Sequence, residues 1–324
     1  MTRRFALTAA FVALALVWGA SFLLIKESLG AFTPGQVTVG RIVLGALTLR
    51  TIMVVTDRPW PREPRFWAHM AAVGILLCVA PFGLYAWAGE SLPSGLSAIL
   101  NASTPLMTAL ATAAVVPLER LAPRQAMGVA IGGAGVVLVV GPWGLAGDAI
   151  APALGSLPAQ LACLGATACY GLGFAYLRRF VVGRYRYDAL SVSTVQLTMA
   201  AAVALVCAPL LGAVAPLQSP SLGAVGALVL LGVFGTGIAY IWNTAIVTQW
   251  GAVAASTVTY LTPLVGVVLG TMLLGESLSW NQPVGCLVVI AGVVAVHRSR
   301  ARTTAVPRPA ARPEPALDAA GARG

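Results

Sequence analysis

The sequence predicts an all-α integral membrane protein: ten transmembrane helices in two inverted-topology five-helix repeats, with N- and C-termini cytoplasmic. Three observations predict it. Apolar residues make up 58% of the 324 positions and charged residues 9%, whereas a soluble domain spends about a quarter of its residues on charge to cover its surface. Arginines gather at alternate ends of the apolar runs. The chain also repeats itself, phrase by phrase, at spacings of 152 and 157 residues.

A helix needs about 20 apolar residues to cross a bilayer core. Ten runs qualify, at 5–25, 34–55, 66–88, 93–116, 123–141, 156–177, 189–211, 222–246, 251–274 and 281–297. They lack strand-like alternation, and only helices or closed barrels pair every backbone polar group in lipid. The start, MTRRFALTAAFVALALVWGASF, has the charge and apolar run of a signal peptide. A series of further spans follows it, so it is read as an uncleaved first helix.

The cations test this count independently. With a cytoplasmic start, 17 of the 20 fall inside: Arg3, Arg4, Arg58, Arg62, Arg65, Arg120, Arg124, Arg178, Arg179, Arg184, Arg186, Arg298, Arg300, Arg302, Arg308, Arg312 and Arg323. Arg41 and Arg50 lie within span 2, and Lys26 alone is outside. A miscount by one span would scatter these charges over both faces. The net charge of +10 therefore belongs to membrane topology, and nucleic acid is not expected as a partner. The lipid bilayer and a small-molecule substrate are, while monomer and homodimer both stay open. The expected units are 1–141 and 142–298, followed by a Pro-, Ala- and Arg-rich tail, 299–324, that reads as disordered.

Cys78, Cys163, Cys169, Cys207 and Cys286 all lie inside apolar runs without CxxC spacing, which suits small packing residues. His69 and His297 sit at run ends, outside any metal or catalytic pattern. No cofactor, metal or catalytic residue is expected, and the chain does not read as an enzyme.

The repeat is visible in two places. LVWGASFLLIK (16–26) is echoed by ACYGLGFAYLR (168–178), aligning Trp18 with Tyr170, Gly19 with Gly171, Phe22 with Phe174 and Lys26 with Arg178. TPLMTALATAAVVPLERL (104–121) is echoed by TPLVGVVLGTMLLGESL (262–278), and Glu119/Glu276, Gln125/Gln282, Gly128/Gly285 and Gly135/Gly292 are each 157 apart. Five spans per copy is an odd number, so the copies are expected to run in opposite directions through the membrane. Inverted repeats typify secondary transporters, whose substrates sit near the midplane between the two units.

These residues resemble the EamA-type transporters of the drug/metabolite transporter superfamily: WGASF in span 1, Arg41 in span 2, TPL…LLGESL, and the Gln-x-x-Gly…Ala-Gly-Val pattern closing each half. The resemblance covers about 5–297. It implies two inverted five-helix bundles around a central cavity lined mainly by helices 1–4 and 6–9. It also implies export or exchange of small metabolites, often amino acids or related solutes. The first copy departs by reading VPLE where LLGE is usual.

Polar residues inside spans should face a cavity or another helix. Ser97, Asn101, Thr104 and Thr108 form one stripe on span 4, and Ser256, Thr259, Tyr260 and Pro263 another on span 9. Span 6 lines up Gln160, Cys163, Thr167, Tyr170 and Phe174; span 8 offers Thr236, Tyr240 and Asn243; Tyr85 and Gln196 stand on spans 3 and 7. From span 1, Trp18, Ser21, Phe22 and Lys26 complete the candidates for a substrate cavity. Interhelical hydrogen bonds are the plainer reading of each Ser or Thr.

Pro105 and Pro263 are repeat equivalents at mid-span. Each removes an amide and frees the carbonyl four residues back, those of Asn101 and Thr259, so kinks are expected there. They are candidate hinges as well as static bends. Arg41 lies seven residues from Pro34, roughly 10 Å along a helix. A central arginine costs about 2.5–3.5 kcal/mol on the translocon scale, so it either holds an anionic group or braces backbone carbonyls. Lys26 either snorkels to the interface or guards the outer mouth. No carboxylate is placed deep in a span, and a channel or a membrane enzyme is the alternative to a carrier.

Overall fold

Prolines and short polar side chains start the helices. Thr33 accepts a hydrogen bond from the Gln36 amide (3.2 Å) while Gln36 Oε1 accepts from the Thr33 amide (3.0 Å), with Pro34 in the first turn. This reciprocal cap pairs two otherwise orphaned donors. Asp188 and Ser221 cap later helices by accepting from the amides of Ser191 (2.7 Å) and Ala224 (3.1 Å). The computed structural model describes residues 3–116, 122–141, 150–217, 220–250 and 258–303. Among these residues it contains helices and no strand.

The helices are α1 (Arg3–Leu29), α2 (Pro34–Val55), α3 (Pro64–Gly89), α4 (Ser94–Val115), α5 (Pro123–Val140), α6 (Ile150–Phe180), α7 (Ala189–Val206), α8 (222–250), α9 (Val258–Leu274) and α10 (Asn281–Thr303). α3 and α8 each carry one wider, π-helical turn, Ile75–Val79 and Val233–Ile238. α4 is interrupted between Asn101 and Thr104. Eight helices among the described residues are long and apolar enough to cross a membrane; Val258–Leu274 and Asn281–Val296 are apolar but shorter. The start expected for span 9, with Ser256, lies outside the described residues, as do Glu119 and residues 304–324. The tail expected from 299 begins inside α10, which continues to Thr303.

The connections gather at two ends of the bundle. At one, Arg58 Nη1 meets Asp188 Oδ2 (3.2 Å), Tyr187 donates to Glu63 (2.8 Å) and Arg179 Nη1 donates to the Val115 carbonyl (2.5 Å). The bond to Glu63 pushes the Tyr187 phenol up from its ordinary pKa. At the other end, Thr33 donates to Gly212 O (3.0 Å), Gln36 to Ala215 O (2.7 Å) and Asn281 to Leu138 O (2.9 Å). The first end holds the cation-rich connections and the second the cation-poor ones.

α5 and α10 lie antiparallel with their backbones touching. A Cβ on Gly128 would come within 2.8 Å of Gly292 O, and one on Gly135 within 2.5 Å of the Val289 amide and 2.9 Å of Gly285 O. Gly128 thus meets the repeat equivalent of Gly135, and Gly135 meets that of Gly128. The equivalents Gln125 and Gln282 also do the same work, their Oε1 atoms accepting from the amides of Ala122 (2.9 Å) and Ser279 (3.2 Å).

Candidate substrate site

Arg41 is the centre of the site. It stands on α2, is buried, and stacks its guanidinium carbon 3.7 Å above the centroid of the Phe82 ring on α3. Its Nε donates 3.2 Å to Thr236 Oγ1 in the wide turn of α8, and that hydroxyl in turn donates to the Leu231 carbonyl (3.1 Å) just before the turn. A π-turn breaks the regular ladder and leaves backbone groups seeking partners; here a threonine fills the gap and holds the arginine at the same time. Among the described residues this is the guanidinium's one hydrogen bond, and no carboxylate lies within 4 Å of it. A desolvated cation–π contact contributes about 2 kcal/mol and a charged hydrogen bond about 1.5–3 kcal/mol. Together they offset part of the cost of the buried charge without using its forked terminal nitrogens.

Tyr170, Tyr240 and Cys78 lie in the vicinity of the guanidinium. Tyr240 donates to Leu77 O (3.0 Å) in the wide turn of α3 and lies 3.2 Å from Cys78 Sγ, to which Gln196 Nε2 also points (3.6 Å). Side chains of this one cluster therefore bond a backbone carbonyl within the wide turn of α3 and another just before that of α8.

A second group adjoins the first through Tyr170, whose ring stacks on Tyr85 with centroids 6.3 Å apart. Tyr85 makes an edge contact with Phe22 (5.3 Å) and donates to Asn101 Oδ1 (3.0 Å). Thr104 Oγ1 donates to Asn101 O at 2.8 Å. This is the carbonyl that Pro105 frees, and it lies at the interruption of α4. The equivalent Thr262 donates to Thr259 O (3.1 Å), yet α9 runs through Pro263 without a break.

Nine candidates thus form one connected set: Phe22, Arg41, Tyr85, Asn101, Thr104, Pro105, Tyr170, Gln196 and Tyr240. The others lie elsewhere. Trp18 packs with Leu14, Ala15 and Ile246. Ser21 donates to its own helix at Val17 O (2.8 Å). Phe174 is 38% exposed on the bundle surface. Tyr260 packs against the cluster formed by Ala102, Leu106, Ala109, Val289, Val293 and Val296, and Asn243 is half-buried about one turn beyond Tyr240. Lys26 lies at the cation-poor end, donating to Gly89 O (2.9 Å) and Leu92 O (3.1 Å). The glycines of the doubled phrase serve close approach between helices distant in sequence: a Cβ on Gly19 would strike Val265 of α9 (2.5 Å), and one on Gly171 the Met107 backbone of α4 (2.6 Å). Phe82 escaped the sequence reading because a phenylalanine in an apolar run carries no signal until its partner is known.

An all-helical bundle of apolar spans around a buried cation is the architecture of a multi-pass membrane protein. A model of the EamA-like transporter family matches residues 6–141 and again 157–298, so the chain belongs to that family. The uncharacterized inner membrane transporter YedA of Escherichia coli K12 is 25% identical over 293 residues, 89% of either chain. The uncharacterized transporter YyaM of Bacillus subtilis is 24% identical over 279 residues, 85% of this chain and 88% of that one. A crystal structure of 23% identity matches with a TM-score of 0.63 over 92% of this chain and 99% of its own, a likeness of fold alone. The protein is a multi-pass transporter of the cell membrane.

Proposed function

We propose that the protein is a secondary carrier working by alternating access, exporting or exchanging a small polar or amphipathic solute that bears an anionic group. Amino acids and related carboxylated metabolites fit this description. The observation that carries the reading is Arg41: a buried cation, held by Phe82 and Thr236, without a carboxylate beside it among the described residues. Its terminal nitrogens suit a bidentate anion, and the tyrosine wall supplies hydroxyls and ring faces for the rest of the solute.

The proposed frame is ten crossings in two inverted repeats with cytoplasmic termini. Supporting it are the antiparallel glycine contact between α5 and α10, the paired wide turns of α3 and α8, and the separation of cation-rich from cation-poor connections. Two pseudo-equivalent halves that exchange conformations turn an inward-open site into an outward-open one.

The test is flux into proteoliposomes with a panel of labelled metabolites, carboxylated and not, with and without a pH gradient. Saturable flux with counterflow, preference for carboxylated solutes, and loss of flux in a well-folded Arg41→Gln variant are expected. Conduction that does not saturate would make the protein a channel. Full activity in Arg41→Gln would remove the anion site.

A further inference from the structure

The turn between α3 and α4 is gripped by two ions of opposite sign. Lys26, at the end of α1, donates to the carbonyls of Gly89 (2.9 Å) and Leu92 (3.1 Å), at the carbonyl end of α3. Glu276, in the connection between α9 and α10, accepts at the other side: Oε1 from the Ser94 amide (2.6 Å), and Oε2 from Ser94 Oγ (2.9 Å) and the Gly95 amide (3.0 Å). Those are the first amides of α4. A cation therefore sits on the negative end of one helix and an anion on the positive end of the next, each satisfying backbone groups the helices cannot pair themselves.

The anion reaches across from the other repeat, and the packing makes room for it. A Cβ on Gly270 would lie 2.3 Å from Glu276 Oε2 and 2.8 Å from Ser94 Oγ. Below the grip, the first half of α4 rests on α9 through small residues: a Cβ on Gly95 would be 3.3 Å from the Val267 Cα, and one on Gly266 2.4 Å from the Ala98 Cβ. After the interruption at Ala102 and Ser103, the second half of α4 packs on α6, where Gly171 abuts Met107. The first half of α4 is thus a separate segment with its own anchor. A cavity lined by Lys26, Leu29, Gly30, Gly89 and Glu90 opens beside it.

We infer that Lys26 and Glu276 form an ionic clamp that holds the extracytoplasmic gate shut, and that loosening either ion frees the first half of α4 to leave α9. The inference rests on the alternating access and sidedness proposed above. It gives the cation that ends the first repeated phrase a positioning role rather than contact with the solute.

The test is the rate at which a cysteine placed at Ser97, one turn into α4 and 4% exposed, reacts with a membrane-impermeant maleimide. It is read in intact cells and in inside-out vesicles, with the chain lacking that cysteine measured alongside to subtract the native thiols. Glu276→Gln and Lys26→Gln are expected to raise the rate about tenfold from outside, and Lys26→Arg to leave it near the parent value. Gly270→Ala, which keeps both ions but displaces the carboxylate, should raise it several-fold. Ser94→Ala, the mildest change, should raise it about threefold and serves if the glutamine variants fail to fold. Unchanged rates in folded variants overturn the clamp. Labelling from the cytoplasmic side alone overturns the sidedness, while the ratio between variants still reports on the clamp.

Discussion

The guanidinium of Arg41 lies 3.7 Å above the ring of Phe82, and this stack leaves the arginine's terminal nitrogens free of any protein carboxylate among the described residues. Phe82→Leu keeps an apolar side chain of similar bulk but removes the negative ring face, worth about 2 kcal/mol when desolvated. We expect the half-saturating concentration of a transported anionic solute to rise about tenfold, with Phe82→Tyr near the parent. Saturation curves in proteoliposomes check this. A lowered melting temperature with unchanged saturation would make Phe82 a structural brace only.

Thr104 and Thr262 close the carbonyls that Pro105 and Pro263 open, at 2.8 and 3.1 Å. A hydrogen bond of this kind is worth about 1 kcal/mol net. Thr104→Val and Thr262→Val should each lower the melting temperature in detergent by about 2–4 °C, and the serine variants should lose less. Valine variants that melt with the parent would show that water or another side chain pairs these carbonyls equally well.

What the sequence made legible follows from long-range regularities. The apolar runs, the alternation of charge and the doubled phrases each draw on many residues, so single exceptions such as Arg41 and Lys26 did not disturb them. The freed carbonyls of Asn101 and Thr259 were legible too, because proline's missing amide is a local fact. Contacts between distant spans were not. Phe82 looks like any buried phenylalanine, and Glu276 looks like a loop carboxylate until α4 is seen to begin against it. The wide turns at Ile75–Val79 and Val233–Ile238 have no residue signature. Sequence symmetry also overstated structural symmetry: Tyr170 stands in the site, whereas its equivalent Trp18 packs among Leu14, Ala15 and Ile246.

Pro105 and Pro263 differ in the same way. α4 is interrupted just before Pro105, while α9 is continuous through Pro263. A hinge needs residues able to change conformation between two packed segments, which only α4 presents. Pro105→Ala is therefore expected to slow initial transport rates several-fold, and Pro263→Ala to slow them less. Parent rates in both variants would dismiss the hinge.

The contact between α5 and α10 gives a sharp test of packing, because neighbouring glycines have opposite surroundings. A Cβ on Gly292 would come within 2.3 Å of the Gly132 amide and 2.6 Å of Gly128 O, both backbone atoms that cannot step aside, whereas one on Gly133 would meet nothing within 4 Å. Close backbone approach through small residues is what holds helices together in lipid, where apolar side chains gain nothing by leaving the solvent. Gly292→Ala must push the helices apart, and overpacking of this kind typically costs about 1–3 kcal/mol. Gly133→Ala should be neutral or slightly stabilising, since alanine is the better helix former by about 1 kcal/mol. Thermal unfolding followed by size exclusion separates the two: the first variant should lose its monodisperse peak several degrees below the parent, the second at or above it. Equal losses would mean that the α5 and α10 backbones stand further apart than this packing requires.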